Sequence, residues 1–228
     1  LIFGVLPYVV IAVLILGSLA RFVLAPFSWK SQSSEILDKK DIFWGANLFH
    51  IGVIFLFCGH CFGLFTPTEW LHAAGLTPRL HQMMEIICGG LSAIVAITGL
   101  IILTWRRLTN ERVRAASRPS DFWVLFLLLA VIILGIGCVV NSYLYDKSGA
   151  TIILLGGWVR GLFSFDYQAW QNILLVPDWQ KGHIFVGLII FLIVPFTRLV
   201  HIWSGYLSVF YLIRPHQIMR ANNGKPMK

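Results

Sequence analysis

Five long apolar runs dominate this chain, and each can cross the hydrocarbon core of a bilayer, which takes roughly 20 residues in a helix. A backbone surrounded by lipid must satisfy its own hydrogen bonds, so such runs form helices rather than open strands. They cover about residues 1–20, 42–65, 86–105, 122–144 and 183–213, and four of the five hold no charged side chain. The fold class that follows is all-α integral membrane: a five-transmembrane-helix bundle forming a single domain over 1–228. Only 12% of residues are charged and 57% are hydrophobic, about half the charged fraction of a soluble domain.

The fifth run continues past Pro195 and Arg198, longer than the core needs, so tilt or projection into water is expected, with a kink at Pro195. Between the fourth and fifth runs, Thr151 to Phe165 (TIILLGGWVRGLFSF) is apolar but too short to span, which marks an outer interfacial segment. The first run is longer than the apolar part of a signal peptide and has no clear A-x-A site after it, so it reads as a retained helix.

Cytoplasmic loops carry the excess of Lys and Arg. Arg21, Lys30, Lys39 and Lys40 follow the first run; Arg106, Arg107, Arg112, Arg114 and Arg118 follow the third; Arg198, Arg214, Arg220, Lys225 and Lys228 lie toward the C-terminus. Those are 14 of the 18 basic residues; Arg79, Lys147, Arg160 and Lys181 fall on the opposite side. The N-terminus is therefore expected outside and the C-terminus in the cytoplasm. The net charge of +8 reflects this topology, and no nucleic-acid motif accompanies it.

Four of the seven histidines lie on two runs: His50 and His60 on the second, His183 and His201 on the fifth. A lone histidine in a helix bundle is more often a packing residue than a ligand. Two matched pairs on antiparallel helices change that balance, because His50 and His201 fall in the inner half and His60 and His183 in the outer half. Each pair can clamp one iron. Two neutral imidazoles suit a b-type haem used for electron transfer. The c-type attachment signature is absent, since the order is Cys58, Gly59, His60, Cys61.

The spacing is imperfect. In a continuous helix His183 and His201 stand five turns and roughly 27 Å apart, whereas His50 and His60 stand roughly 15 Å apart and differ by about 80° in direction. Tilt, the Pro195 kink or inclined haems must absorb the mismatch. Gly45, Gly52, Gly59 and Gly63 punctuate the second run, either admitting a flat macrocycle to the backbone or packing helices closely. Arg198 is placed to meet a haem propionate or to snorkel to the headgroups. The CGHC string lacks the context of a thioredoxin motif, and Cys88 and Cys138 read as packing residues. His72, His81 and His216 fall in loops or the tail and read as solvated.

The stretches ANLFHIGVIFLFCGHCFGLFTP, FTRLVHIWSGY, SWKSQSSEIL and RRLTNERVRAASRPSD resemble the γ subunit of respiratory nitrate reductase, the membrane cytochrome b of a three-subunit complex. The resemblance implies two haem b groups ligated by His50 with His201 and by His60 with His183. It also implies quinol oxidation near the outer haem, with Gly59 and His60 bordering the pocket. Electrons would pass to an iron–sulfur subunit and a molybdenum catalytic subunit in the cytoplasm, from a bacterial or archaeal cytoplasmic membrane. The sequence departs from the family in the outer loop from Asn141 to Gly182, and Met83 stands where some members have a Lys near the quinol. Arg79, His81, Gln82 and Lys181 are candidate headgroup partners in its place.

Related cytochromes of sulfite or heterodisulfide reductases are the near alternative. A histidine-based proton or metal transporter is a different class, weakened by the lack of Asp or Glu in the expected spans; a structural anchor leaves four buried histidines unexplained. Nothing in the chain reads as a site for reducing nitrate.

Overall fold

The computed structural model describes residues 2–25, 28 and 42–203. SWKSQSSEIL apart from Ser28, the lysines at 30, 39 and 40, and everything after Trp203 lie outside the described residues.

Five helices are long and apolar enough to cross a membrane. The first is α1 (Leu6–Leu24), with Pro7 in its first turn where the missing N–H is no loss. The second is α2 (Ile42–Phe65). A short α3 (Thr68–Ala73) leads to the third span, which runs from α4 (Pro78–Met84) through a π-helical turn (Glu85–Gly89) into α5 (Gly90–Thr109). Thr77 starts it by accepting the Leu80 N–H at 3.2 Å, ahead of Pro78. After α6 (Glu111–Ala115) comes the fourth span, α7 (Pro119–Tyr145). The segment expected to lie at the interface forms the 14-residue α8 (Ala150–Phe163), too short to span, followed by α9 (Gln171–Leu174) and the fifth span, α10 (Asp178–Ile193).

Three expectations are corrected here. The third span begins at Pro78, eight residues earlier than expected, because its first turns are more polar than a hydropathy reading accepts. Glu85 therefore lies inside a span, contrary to the expectation that the spans hold no acidic residue, and His81 is buried rather than solvated.

The fifth helix is not continuous. It ends at Ile193, passes through a 3₁₀ turn (Val194–Phe196), an extended Thr197 (φ −119°, ψ −178°) and a second 3₁₀ turn (Arg198–Val200), and resumes helical geometry at His201. Pro195 lacks the N–H an α-helix needs, and its ring opposes the carbonyl four residues back. Thr197 then caps the new turn by accepting the Leu199 N–H at 3.3 Å. The carbonyls released by the break are met by Arg21 of α1, whose Nη1 donates to Pro195 O and Thr197 O, each at 2.7 Å. Broken backbone at this depth persists only when so satisfied.

Close packing between α2 and α5 uses small residues. A β-carbon on Gly52 would collide with the Ala96 backbone, and one on Gly99 with the Phe49 backbone. Gly45 faces Ile102 and Leu103, and Gly63 faces Glu85 and His81. Such contacts hold helices together where apolar side chains gain nothing from leaving lipid. Of the four α2 glycines, Gly59 alone has no atom within 4 Å of a built β-carbon. A second core joins α8 and α9 to α1: Trp158 Nε1 donates to Phe3 O at 2.9 Å, and Tyr8 Oη donates to Leu162 O at 3.0 Å.

Candidate functional site

The structure brings the four intramembrane histidines together in the expected pairs. The ring centres of His60 and His183 are 5.9 Å apart, and those of His50 and His201 are 6.2 Å apart. Two imidazoles on opposite sides of one metal need about 6 Å between ring centres: a bond of about 2.0 Å on each side, plus about 1.1 Å from each nitrogen to its ring centre.

Each ring is held by the same device. His50 Nδ1 donates to Ala46 O at 2.7 Å and His60 Nδ1 to Leu56 O at 2.7 Å, both one turn back on α2. His201 Nδ1 donates to Arg198 O at 2.7 Å, and His183 Nδ1 reaches across to Val131 O on α7 at 2.9 Å. A carbonyl can only accept, so in each neutral imidazole the proton is on Nδ1 and the lone pair on Nε2. That is the tautomer and orientation a metal-binding histidine needs. The helix supplies the partner for three rings; for His183 the neighbouring helix does.

Gly135 completes the His60–His183 pair. A β-carbon there would lie 3.1 Å from His183 Cε1 and 3.3 Å from Nδ1, so its absence lets the ring settle against α7. Among the described residues no three His, Cys, Asp or Glu side chains converge. Each pair would hold one metal through two imidazole nitrogens, a donor set that suits an iron already carried by a macrocycle. The open space at Gly59, next to His60, fits the same flat group.

The other candidates divide. Arg198 forms an ion pair through Nε with Asp121 Oδ1 at 3.2 Å, while Arg107 Nη1 meets Oδ2 at 3.1 Å. Asp121 is 6% exposed and also accepts the Arg118 N–H at 2.9 Å. Arg79 Nη1 donates to Gln82 Oε1 at 2.6 Å and to Asp146 O at 3.0 Å, and Gln82 Nε2 donates to Ser142 and Asp146, which clamps α4 to the end of α7. Lys181 pairs with the exposed Asp178. Of the four headgroup candidates only His81 has a buried nitrogen with no hydrogen-bond partner, its Nε2. Met83, by contrast, makes no polar contact of note.

Sequence reading missed Arg21, Val131, Gly135, Asp121 and Glu85 as parts of this architecture. Val131 and Gly135 are four apart on α7 and so share a face, but nothing in their identities points to a histidine on another helix.

Fold and site together define a multi-pass, all-helical membrane protein with two close histidine pairs. A family model for the nitrate reductase gamma subunit matches residues 1–222, and the chain belongs to that family, whose members are membrane subunits of an oxidoreductase complex. It is 36% identical over 219 residues to the respiratory nitrate reductase 2 gamma chain of Escherichia coli (strain K12), covering 96% of this chain and 95% of that one. It is 35% identical over 224 residues to the nitrate reductase gamma chain of Bacillus subtilis (strain 168), covering 98% of each.

Proposed function

We propose that this chain is the di-haem cytochrome b subunit of a quinol-oxidising nitrate reductase. His60 and His183 hold the outer haem b, and His50 and His201 the inner one. Haem held there would supply a one-electron carrier, and the protein sets the position and tautomer of the histidines that would hold it. Quinol is oxidised beside Gly59 and His60, and electrons leave at the inner face to an iron–sulfur subunit and a molybdenum subunit, where nitrate is reduced. The N-terminus faces out, and the basic loops around Arg106 to Arg118 face the cytoplasm. The cytoplasmic membrane of a bacterium or archaeon is the setting, and residues 1–228 act as one domain.

The observation that carries this reading is the pair of ring separations, 5.9 and 6.2 Å, with all four Nδ1 atoms tied to carbonyls. Packing histidines have no reason to repeat that geometry twice. Haem quantitation and reduced-minus-oxidised spectra of the intact complex test it. Two noncovalent haems per chain are expected; His60→Ala and His183→Ala should each remove the outer one, and His50→Ala and His201→Ala the inner one. A single haem, or different haems lost from His60→Ala and His183→Ala, refutes the assignment.

A further inference from the structure

Glu85 opens the π-helical turn of the third span and is half-buried there. No hydrogen bond or ion pair holds it among the described residues. A carboxyl in such a place is expensive and marks function until shown otherwise, and π turns occur frequently at functional sites. Its position is set by Gly63: a β-carbon built there would lie 2.6 Å from Glu85 Oε1 and 3.5 Å from His81 Nε2. The two polar atoms are therefore separated by no more than those two legs end to end, a gap that one water spans with two hydrogen bonds of about 2.8 Å. Gly63 is three residues beyond His60 on α2, so this group lies about one turn outward from the outer histidine pair and on a neighbouring face.

His81 continues the line. It is 6% exposed, its Nε2 has no partner, and it lines a cavity of about 10 Å³ of water-centre positions, room for one water. Thr66, Thr68 and Arg160 line the same cavity, as does His72 of α3, which is exposed. Arg160 is the fixed positive charge facing it from α8, anchored to Leu64 O and Thr66 O. The buried, unpaired His81 Nε2 beside a water-sized space calls for a water, and the lining of that space runs from Gly63, which Glu85 approaches, to the exposed His72.

We infer that Glu85 accepts a proton from quinol oxidised at the outer histidine pair and passes it through His81 and the small cavity to the outer face. The inference rests on the quinol reading above. In each one-electron step a quinol O–H bond breaks and the proton goes to the Glu85 carboxylate, while the haem that His60 and His183 would hold supplies the electron acceptor. Glu85 then returns to its anionic form by releasing that proton to the His81 side, so charge and atoms balance over two steps.

The intact complex in proteoliposomes, supplied with tetramethylhydroquinone, tests this. Glu85→Gln should lower kcat on the order of a hundredfold with KM changed by less than about twofold, since a lost proton acceptor affects the transition state more than binding. Both haems should remain and be reducible by dithionite, which bypasses quinol, and the solvent deuterium effect on kcat should rise. Glu85→Asp should recover most of the rate. Turnover by Glu85→Gln within about threefold of the native complex, loss of haem in that variant, or an Asp variant as slow as the Gln variant overturns the inference. A native complex that lacks haem or does not oxidise quinol overturns the parent reading, and the inference with it.

Discussion

Arg21 Nη1 lies 2.7 Å from the carbonyl of Pro195, 174 positions later in the chain, and the same nitrogen lies 2.7 Å from Thr197 O. One cation on α1 thus holds the break in the fifth span that lets His201 meet His50. Its NH2 group and Nε bind Ser28 O and Oγ, so the guanidinium is fully directed. A residue that charge counting treats as a topological marker is a structural support of the His50–His201 pair.

On the proposed haem assignment, Arg21→Leu should therefore release the haem held by His50 and His201 while sparing the one held by His60 and His183. Two carbonyls lose their donor, at about 1–3 kcal/mol each if they stay buried. Haem content and the spectra of the remaining haem check this. Equal loss of both haems, or no loss, would show that Pro195 and Thr197 hold the break unaided.

Gly135→Val should act at the other end. A β-carbon at 135 already crowds His183 at 3.1 Å, and branching would push the ring off Val131 O. Loss of such an outer-sphere partner weakens metal binding by about 10- to 100-fold. Outer haem occupancy should fall in detergent while the inner haem is retained. Full occupancy with an unchanged outer spectrum would mean that the Val131 bond does not orient His183.

Asp146 makes the loop between α7 and α8 acid-sensitive. Burial raises its carboxyl, but hydrogen bonds from Thr151, Ser148 and Gly149 outweigh that and hold it well below the usual carboxylate range. A group depressed in the folded state contributes stability above its unfolded value, about 3.9, and that stability is lost as pH falls through the folded value. Asp146→Asn should lower thermal stability in detergent at pH 7 and flatten its decline below about pH 4. An unchanged melting profile across that range would remove Asp146 as a cap of α8.

The five spans and the histidine pairing were legible in the sequence because both rest on local chemistry. Twenty apolar residues must form a helix in lipid whatever their neighbours. Antiparallel helices carrying two histidines each can meet only inner with inner and outer with outer. Distance was the open point: an unbroken fifth helix places His183 and His201 roughly 27 Å apart, against roughly 15 Å between His50 and His60, a mismatch left to tilt, a Pro195 kink or inclined haems. Pro195 announced a disturbance, but its outcome, two 3₁₀ turns around an extended Thr197, depended on Arg21 being close enough to take the freed carbonyls. The Val131 carbonyl, the hollow at Gly135 and the nearness of Glu85 to Gly63 and His81 are likewise contacts between helices. Sequence determines which residues are apolar, basic or able to bind metal; helix-to-helix approach decides which backbone carbonyl or missing side chain each of them meets. That approach comes from packing summed over the whole bundle, and no local pattern encodes it.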